Sequence, residues 1–246
     1  MKFLKEILNL KNIKESIEKN ALPCVISGLS DIHKAHFIYS ILDQKTSPTL
    51  VVAPDEAFAE KIRKDLTSMG LNSVVYPAKD FNFYDIKGRS YEYEHQRLRA
   101  IYGMIHKEVD VVISCLDAAL QYTIPKEKIL EVSFWIKEGQ EISIKEICTK
   151  FLKCGYEMSD QVEGIGQFSH RGGIVDFYAP SEKAPIRIEF FGDEIDTISY
   201  FDQTTQRRTN NISKIEITPT KEFIIDDAKK LSEKIKALSL KQRNKK

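Results

Sequence analysis

The stretch most suggestive of chemistry is Gly28-Leu29-Ser30-Asp31-Ile32-His33-Lys34-Ala35. It follows a short apolar run and opens a helix-like segment, the place where a phosphate-binding loop belongs, and its spacing fits the Walker A frame GxxxxGK[ST]. Two defining positions are wrong. His33 stands where the second glycine would let bare backbone N–H groups wrap a phosphate. Ala35 stands where a hydroxyl would bind Mg²⁺. Lys34 alone is a common residue in a surface helix. No acidic box follows a later apolar strand, so hydrolysis lacks its second half as well. The expectation is a degenerate phosphate loop at Gly28, His33, Lys34 and Ala35 that does not work, with no cofactor.

Other chemistries find less support. The histidines, His33, His36, His95, His106 and His170, show no metal-ligand spacing. The cysteines, Cys24, Cys115, Cys148 and Cys154, form no CxxC pair, and apolar neighbours around Cys24 and Cys115 predict buried thiols in a reducing cytosol. No serine sits in a GxSxG elbow. Asp193, Glu194 and Asp196 crowd one hairpin and read as a solvated turn. The expected catalytic set and metal set are both empty.

The elements behind these residues change character along the chain. In the first half, helix-like segments (Met1 to Lys19, Asp31 to Leu42, Glu56 to Met69, Tyr91 to His106) alternate with strand-like ones (Leu22 to Ser27, Leu50 to Ala53, Ser73 to Tyr76, Val109 to Ser114). That order predicts βαβ units and a parallel sheet. Asp55 is placed as an N-cap, and Gly70 as a helix stop. After Pro125 come Ile129 to Ile136 as a strand, Ser143 to Lys153 as a helix, and a run of short strands. Pro185 to Phe191 and Glu194 to Phe201 pair across a Gly192-Asp193 turn, and Gly172 to Tyr178 and Ile212 to Ile217 are further strands. This half reads as α+β with an antiparallel sheet.

The composition is that of a folded chain: 246 residues, 42% hydrophobic and 30% charged. With 37 Lys and Arg against 36 Asp and Glu the net charge is +1, which weakens the case for a stand-alone nucleic-acid binder. Lys229 to Lys246 is locally basic and reads as a solvated helix end. No stretch approaches the ~20 apolar residues of a membrane span.

The most specific text lies in the second half. It runs Arg171-Gly172-Gly173-Ile174-Val175-Asp176-Phe177-Tyr178, then Pro185-Ile186-Arg187-Ile188-Glu189-Phe190-Phe191-Gly192-Asp193-Glu194-Ile195-Asp196, then Phe201-Asp202-Gln203-Thr204-Thr205-Gln206-Arg207. It resembles the N-terminal, UvrB-like region of bacterial transcription-repair coupling factors. The first half agrees: Tyr76-Pro77, Asp80, Tyr84-Asp85 and Gln96-Arg97-Leu98-Arg99 resemble that family's text. The resemblance covers nearly the whole chain.

The resemblance implies an α/β fold: a degenerate RecA-like parallel α/β domain with an inserted α+β domain carrying an antiparallel sheet. It implies residues 1–125 as a UvrB-like domain 1a without a working Walker A loop, 126–218 as a UvrB-like domain 2 that binds UvrA, and 219–246 as the start of domain 1b with a basic helical tail. It implies a cytoplasmic, non-catalytic module of transcription-coupled nucleotide excision repair, with UvrA as partner. The longer parent would be an ATP-dependent DNA translocase that also engages RNA polymerase and double-stranded DNA. The alternative is a fragment of an ATP-dependent, UvrB-type damage-loading helicase. Residues that bind UvrA in the family fall on Arg171, Arg187 and Phe191. Strand alternation puts Arg187, Glu189 and Phe191 on one face, read either as a docking face or as a solvated one with Phe191 lying beneath Arg187. On the docking reading, replacing Arg187 or Phe191 weakens binding and barely moves the melting temperature.

Overall fold

The computed structural model describes residues 13, 15–16, 19, 23–42, 48–79, 91–224 and 228–243. It divides into two compact units, residues 1–122 and 123–246. The expected helix over Met1 to Lys19 lies almost wholly outside the described residues. So do Asp80, Tyr84 and Asp85.

In the first unit the described elements are α1 (Asp31–Ile41), β1 (Thr49–Ala53), α2 (Glu56–Ser68), β2 (Ser73–Tyr76), α3 (Glu92–Ile105), β3 (Val111–Cys115) and α4 (Leu116–Ala119). The strands form one parallel sheet in the order β1-β3-β2. The last strand in sequence is the central one, and all five of its residues are buried, as an apolar run flanked on both sides should be. Asp55 caps α2 as its residue type predicts, its carboxylate accepting from the Phe58 N–H at 2.7 Å. Ala59, Ile62 and Leu66, one stripe of that helix, pack with Ala35, Ala53, Val111 and Ile113 in the core.

Two expectations fail here. Residues 23–30 form neither helix nor strand, and Val25 is 97% exposed. A short apolar run becomes a strand only beside a neighbour that takes its hydrogen bonds. In the described sheet β1 and β2 are the edge strands and neither pairs with this run, and Pro23 has no N–H to give to a ladder. Cys24, expected to be buried, is therefore exposed, while Cys115 and Cys154 are buried. Burial raises the Cys115 thiol and pushes Cys154 up to about 12, so neither supplies a thiolate near neutral pH. In native protein a maleimide should label Cys24 within minutes and leave Cys115 and Cys154 untouched until denaturant is added. Peptide mass spectrometry showing early modification of Cys154 would contradict the packing described next.

The second unit contains α5 (Lys126–Val132), β4 (Phe134–Lys137), α6 (Ile144–Lys153), β5 (Glu157–Met158), β6 (Gln167–Arg171), β7 (Ile174–Phe177), β8 (Ile186–Phe191), β9 (Glu194–Phe201), β10 (Arg208–Asn211), β11 (Lys214–Ile217) and α7 (Ala228–Arg243). The expected strand over Ile129 to Ile136 is thus a helix followed by a strand. Ile129 and Val132 lie one helical turn apart on an inward side, and only Phe134 and Ile136 alternate. Six strands make a sheet in the order β10-β9-β8-β7-β6-β5, antiparallel apart from β5 with β6, and β11 pairs with β4 in a second sheet. Ser143 caps α6 by accepting from the Glu146 N–H. That helix drives Ile147 and Phe151 into the core. The Phe151 ring meets Phe168 at 5.3 Å, Phe177 at 4.9 Å and Tyr156 at 4.9 Å, centroid to centroid. Ile186, Ile188 and Ile198 complete this side of the sheet. The fold is therefore mixed α/β, with a parallel and an antiparallel sheet in separate units. Among the described residues no helix is long and apolar enough to cross a membrane.

Candidate docking site on the antiparallel sheet

The apolar side of the six-stranded sheet is spent on the core, so any chemistry belongs to its other side. There the register aligns one polar row across four strands: Ser199 of β9, Arg187 of β8, Asp176 of β7 and Ser169 of β6. All four are buried or nearly so, with Asp176 2% exposed and the Arg187 side chain 13% exposed. A carboxylate this deep is tolerated only with a partner. Arg187 supplies it in the two-pronged fashion that suits a guanidinium: Nε donates to Asp176 Oδ1 at 2.7 Å and Nη2 to Oδ2 at 2.8 Å. The same guanidinium donates from Nη1 to the Gln206 carbonyl at 3.2 Å and from Nη2 to Gln206 Oε1 at 3.0 Å. It lies 4.7 Å over the Phe201 ring. The bond to Asp176 raises the Arg187 pKa further above its ordinary value.

Arg171 reaches the same carboxylate from the end of β6, Nη2 to Oδ2 at 3.5 Å, with its side chain 55% exposed. It sits opposite Ile174 across the Gly172-Gly173 turn. Gly172 takes φ +59°, and a Cβ on Gly173 would lie 3.1 Å from the Phe190 carbonyl oxygen, so both glycines are required for this hairpin to lie against β8. His170 Nε2 donates to the Gly172 carbonyl at 2.8 Å. One row further out, Glu189 pairs with Arg208 at 3.2 Å. Phe191, at the end of β8, is 83% exposed. Gly192 turns the chain into β9 at φ +65°. The pairing of β8 with β9 shifts between Glu189 and Phe190, and the unpaired residue is Asp196 on β9. Alternation along β8 survives, so Arg187, Glu189 and Phe191 do share one face, as its sequence predicts.

The structure places the three candidates differently. Phe191 and Arg171 are at the surface. Arg187 is an inside residue with four of its five N–H groups already used. The ring beneath Arg187 is Phe201, so the arrangement with Phe191 under the guanidinium does not occur. Asp176, Gln206 and Phe201 escaped notice, although each stands inside the motif text.

At the other end of the chain, His33, Lys34 and Ala35 lie in the first turns of α1. Ala35 is fully buried in the core of the parallel unit. Lys34 pairs with Asp31 at 2.8 Å and lies 4.9 Å from the centre of the Phe58 ring. His33 Nδ1 and Ser30 Oγ are hydrogen-bonded at 2.8 Å. Gly28 takes φ +83°. The lysine that would meet a phosphate is tied to a carboxylate, and that bond holds the Asp31 carboxyl below its usual range. Among the described residues no group of three or more His, Cys, Asp or Glu could hold a metal ion.

Comparison with known proteins bears on the antiparallel unit first. Residues 134–223 match the UvrB interaction domain. Over 225 residues the chain is 30% identical to a transcription-repair-coupling factor of Bacillus subtilis (strain 168), covering 91% of this chain and 19% of that protein. Over 205 residues it is 31% identical to that of Staphylococcus epidermidis (strain ATCC 12228), covering 82% of this chain and 18% of that one. The factor of Staphylococcus aureus (strain NCTC 8325) is 28% identical over the same share. The chain spans about a fifth of the length of these relatives.

Proposed function

We infer, from the premise that this chain is homologous to the N-terminal region of the transcription-repair-coupling factors, that it is a non-catalytic module that recruits UvrA in transcription-coupled nucleotide excision repair. One observation carries the reading. Within the stretch that matches the UvrB interaction domain, an exposed aromatic and an exposed arginine stand on the outer side of a sheet whose inner side is a closed aromatic core. Such a pair has the residue mix of an interface hot spot. Phe191 and Arg171 make the direct contacts, and Arg187 supports them from inside.

The same reading takes residues 1–125 as a degenerate RecA-like domain 1a, 126–218 as domain 2, the UvrA-binding module, and 219–246 as the start of domain 1b. It places the chain in the cytoplasm. RNA polymerase stalled at a lesion and double-stranded DNA are partners proposed for a longer protein that contains this region. The direct test is capture of purified UvrA by the immobilised chain. Saturable binding is expected, and its absence with correctly folded chain would end the reading.

The loop at Gly28 to Ala35 argues for a docking module over an ATP-dependent helicase. Ala35, packed in the core, leaves the Mg²⁺-binding position without a hydroxyl, and the Lys34 ammonium is paired with the Asp31 carboxylate. Titration calorimetry with Mg·ATP is expected to show no heat of binding. A micromolar dissociation constant that Lys34→Ala abolishes would reverse this.

A further inference from the structure

Three separate motif stretches that carry the family resemblance converge on one guanidinium. The Arg-Gly-Gly stretch contributes Asp176, β8 contributes Arg187, the end of β9 contributes Phe201, and the turn after it contributes Gln206. The turn is built for this. Asp202 Oδ1 accepts from the Thr205 N–H at 2.7 Å and from its hydroxyl at 2.8 Å, and the Gln206 N–H donates to the Asp202 carbonyl at 2.8 Å. The amide of Gln206 is pinned in turn, its Nε2 donating to the Gln203 carbonyl at 2.8 Å. Gln206 holds φ +59°, a left-handed conformation that an ordinary side chain adopts at a cost. The cost is borne where it turns both the Gln206 carbonyl and its side-chain oxygen onto Arg187.

We propose that Asp176 and Gln206 are positioning residues of the docking face, a socket that locks Arg187 and thereby leaves one fixed carboxylate edge to orient the exposed Arg171. The inference rests on the docking reading above. Its geometric basis is the sharing of Asp176 Oδ2. Arg187 occupies that oxygen at 2.8 Å from the buried side, and Arg171 approaches it at 3.5 Å from the solvent side. A carboxylate oxygen accepts more than one donor, but only a carboxylate that cannot rotate presents the second one in a fixed direction. Arg187 prevents rotation by gripping both oxygens, and Gln206 prevents Arg187 from leaving. A partner then meets an arginine whose freedom is already reduced, which lowers the ordering cost of association.

The test pairs a measurement of order with a measurement of binding. In the full chain, ¹⁵N relaxation of the arginine Nε–H groups should show Arg171 partly ordered. In Asp176→Asn, whose carboxamide cannot accept at both positions, Arg171 should become as mobile as a free surface arginine. Gln206→Ala, which keeps the backbone contact, should loosen Arg187 and Arg171 to a smaller degree at an unchanged fold. Against UvrA, Asp176→Asn should weaken binding by about tenfold in the unaltered chain and by much less in an Arg171→Ala background, because contacts in one network are coupled. Arg171 equally mobile in all three proteins would overturn the proposal whether or not UvrA binds. Equal losses in both backgrounds, tracking the fall in melting temperature, would reduce Asp176 to a structural residue and overturn it too. If the unaltered chain does not bind UvrA while Arg171 is ordered through Asp176, the docking reading fails and the socket stands.

Discussion

Arg187→Ala is expected to unsettle the antiparallel unit and to abolish UvrA capture together. The sequence-based expectation of an intact melt does not survive the structure. Removing the guanidinium takes away both strong bonds to Asp176 and leaves a carboxylate that is 2% exposed with, among the described residues, only the more distant Arg171 as a charge partner. Breaking a buried pair from one side typically costs about 3 kcal/mol or more. For a unit of this size that corresponds to a fall in melting temperature on the order of ten degrees. Arg187→Lys should recover little, since one ammonium cannot reach two carboxylate oxygens and two Gln206 oxygens in the plane a guanidinium provides. A double replacement, Asp176→Leu with Arg187→Met, removes the charge from both sides and should restore much of the lost stability, because replacing a whole buried pair by apolar groups is often near neutral. It should not restore binding. Circular dichroism melts and surface plasmon resonance on the three variants decide the matter. If Arg187→Ala melts like the unaltered chain, Arg187 is not the strut its contacts describe.

That correction shows where the sequence was readable and where it was not. Alternation along Pro185 to Phe191 was enough to put Arg187, Glu189 and Phe191 on one face, and the Gly192 turn fixed the hairpin, because strand period and left-handed glycine are local properties. Likewise Asp55 capped its helix as its residue type requires. Depth was not readable. Whether a face is solvent or interior depends on what lies over it, and here Arg187 is tied down by Gln206, nineteen residues away in sequence. Asp176 carried a signal all the same: an acid in a strand otherwise made of Ile174, Val175 and Phe177 must be either paired or exposed. The expected strand failed over its described residues, Pro23 to Ser27, for the complementary reason: apolar content is compatible with a strand, but a strand also needs hydrogen-bonded pairing, which no local pattern contains. Residues 126–132 failed on period, since Ile129 and Val132 fit a helix as well as a strand and only the flanking Pro125 hinted at a helix start.

Phe191→Ala should behave in the opposite way to Arg187→Ala, with a large loss of binding at an unchanged melt. The ring is 83% exposed at the end of β8, opposite Glu194 and one residue before the turn. Truncating it removes almost nothing that the folded state buries, and surface changes of that kind usually move stability by less than about 0.5 kcal/mol. The loss therefore falls on association. A large apolar side chain held on a strand adds contact area with little side-chain entropy to surrender. An aromatic anchor of this kind is commonly worth about 2 kcal/mol or more at an interface, so affinity for UvrA should fall by at least about tenfold. The loss should appear mainly as faster dissociation, because a neutral ring does little to steer encounter. Arg171→Ala should reduce affinity less and lower the association rate at low salt, since a half-exposed charge acts partly at a distance. Phe191→Leu, which keeps apolar area and loses the flat ring, should fall between Phe191→Ala and the unaltered chain. Kinetic traces at two salt concentrations separate these effects. Binding that is indifferent to Phe191→Ala would move the docking surface off this face, and a collapsed melt would mean that the ring is buried in solution.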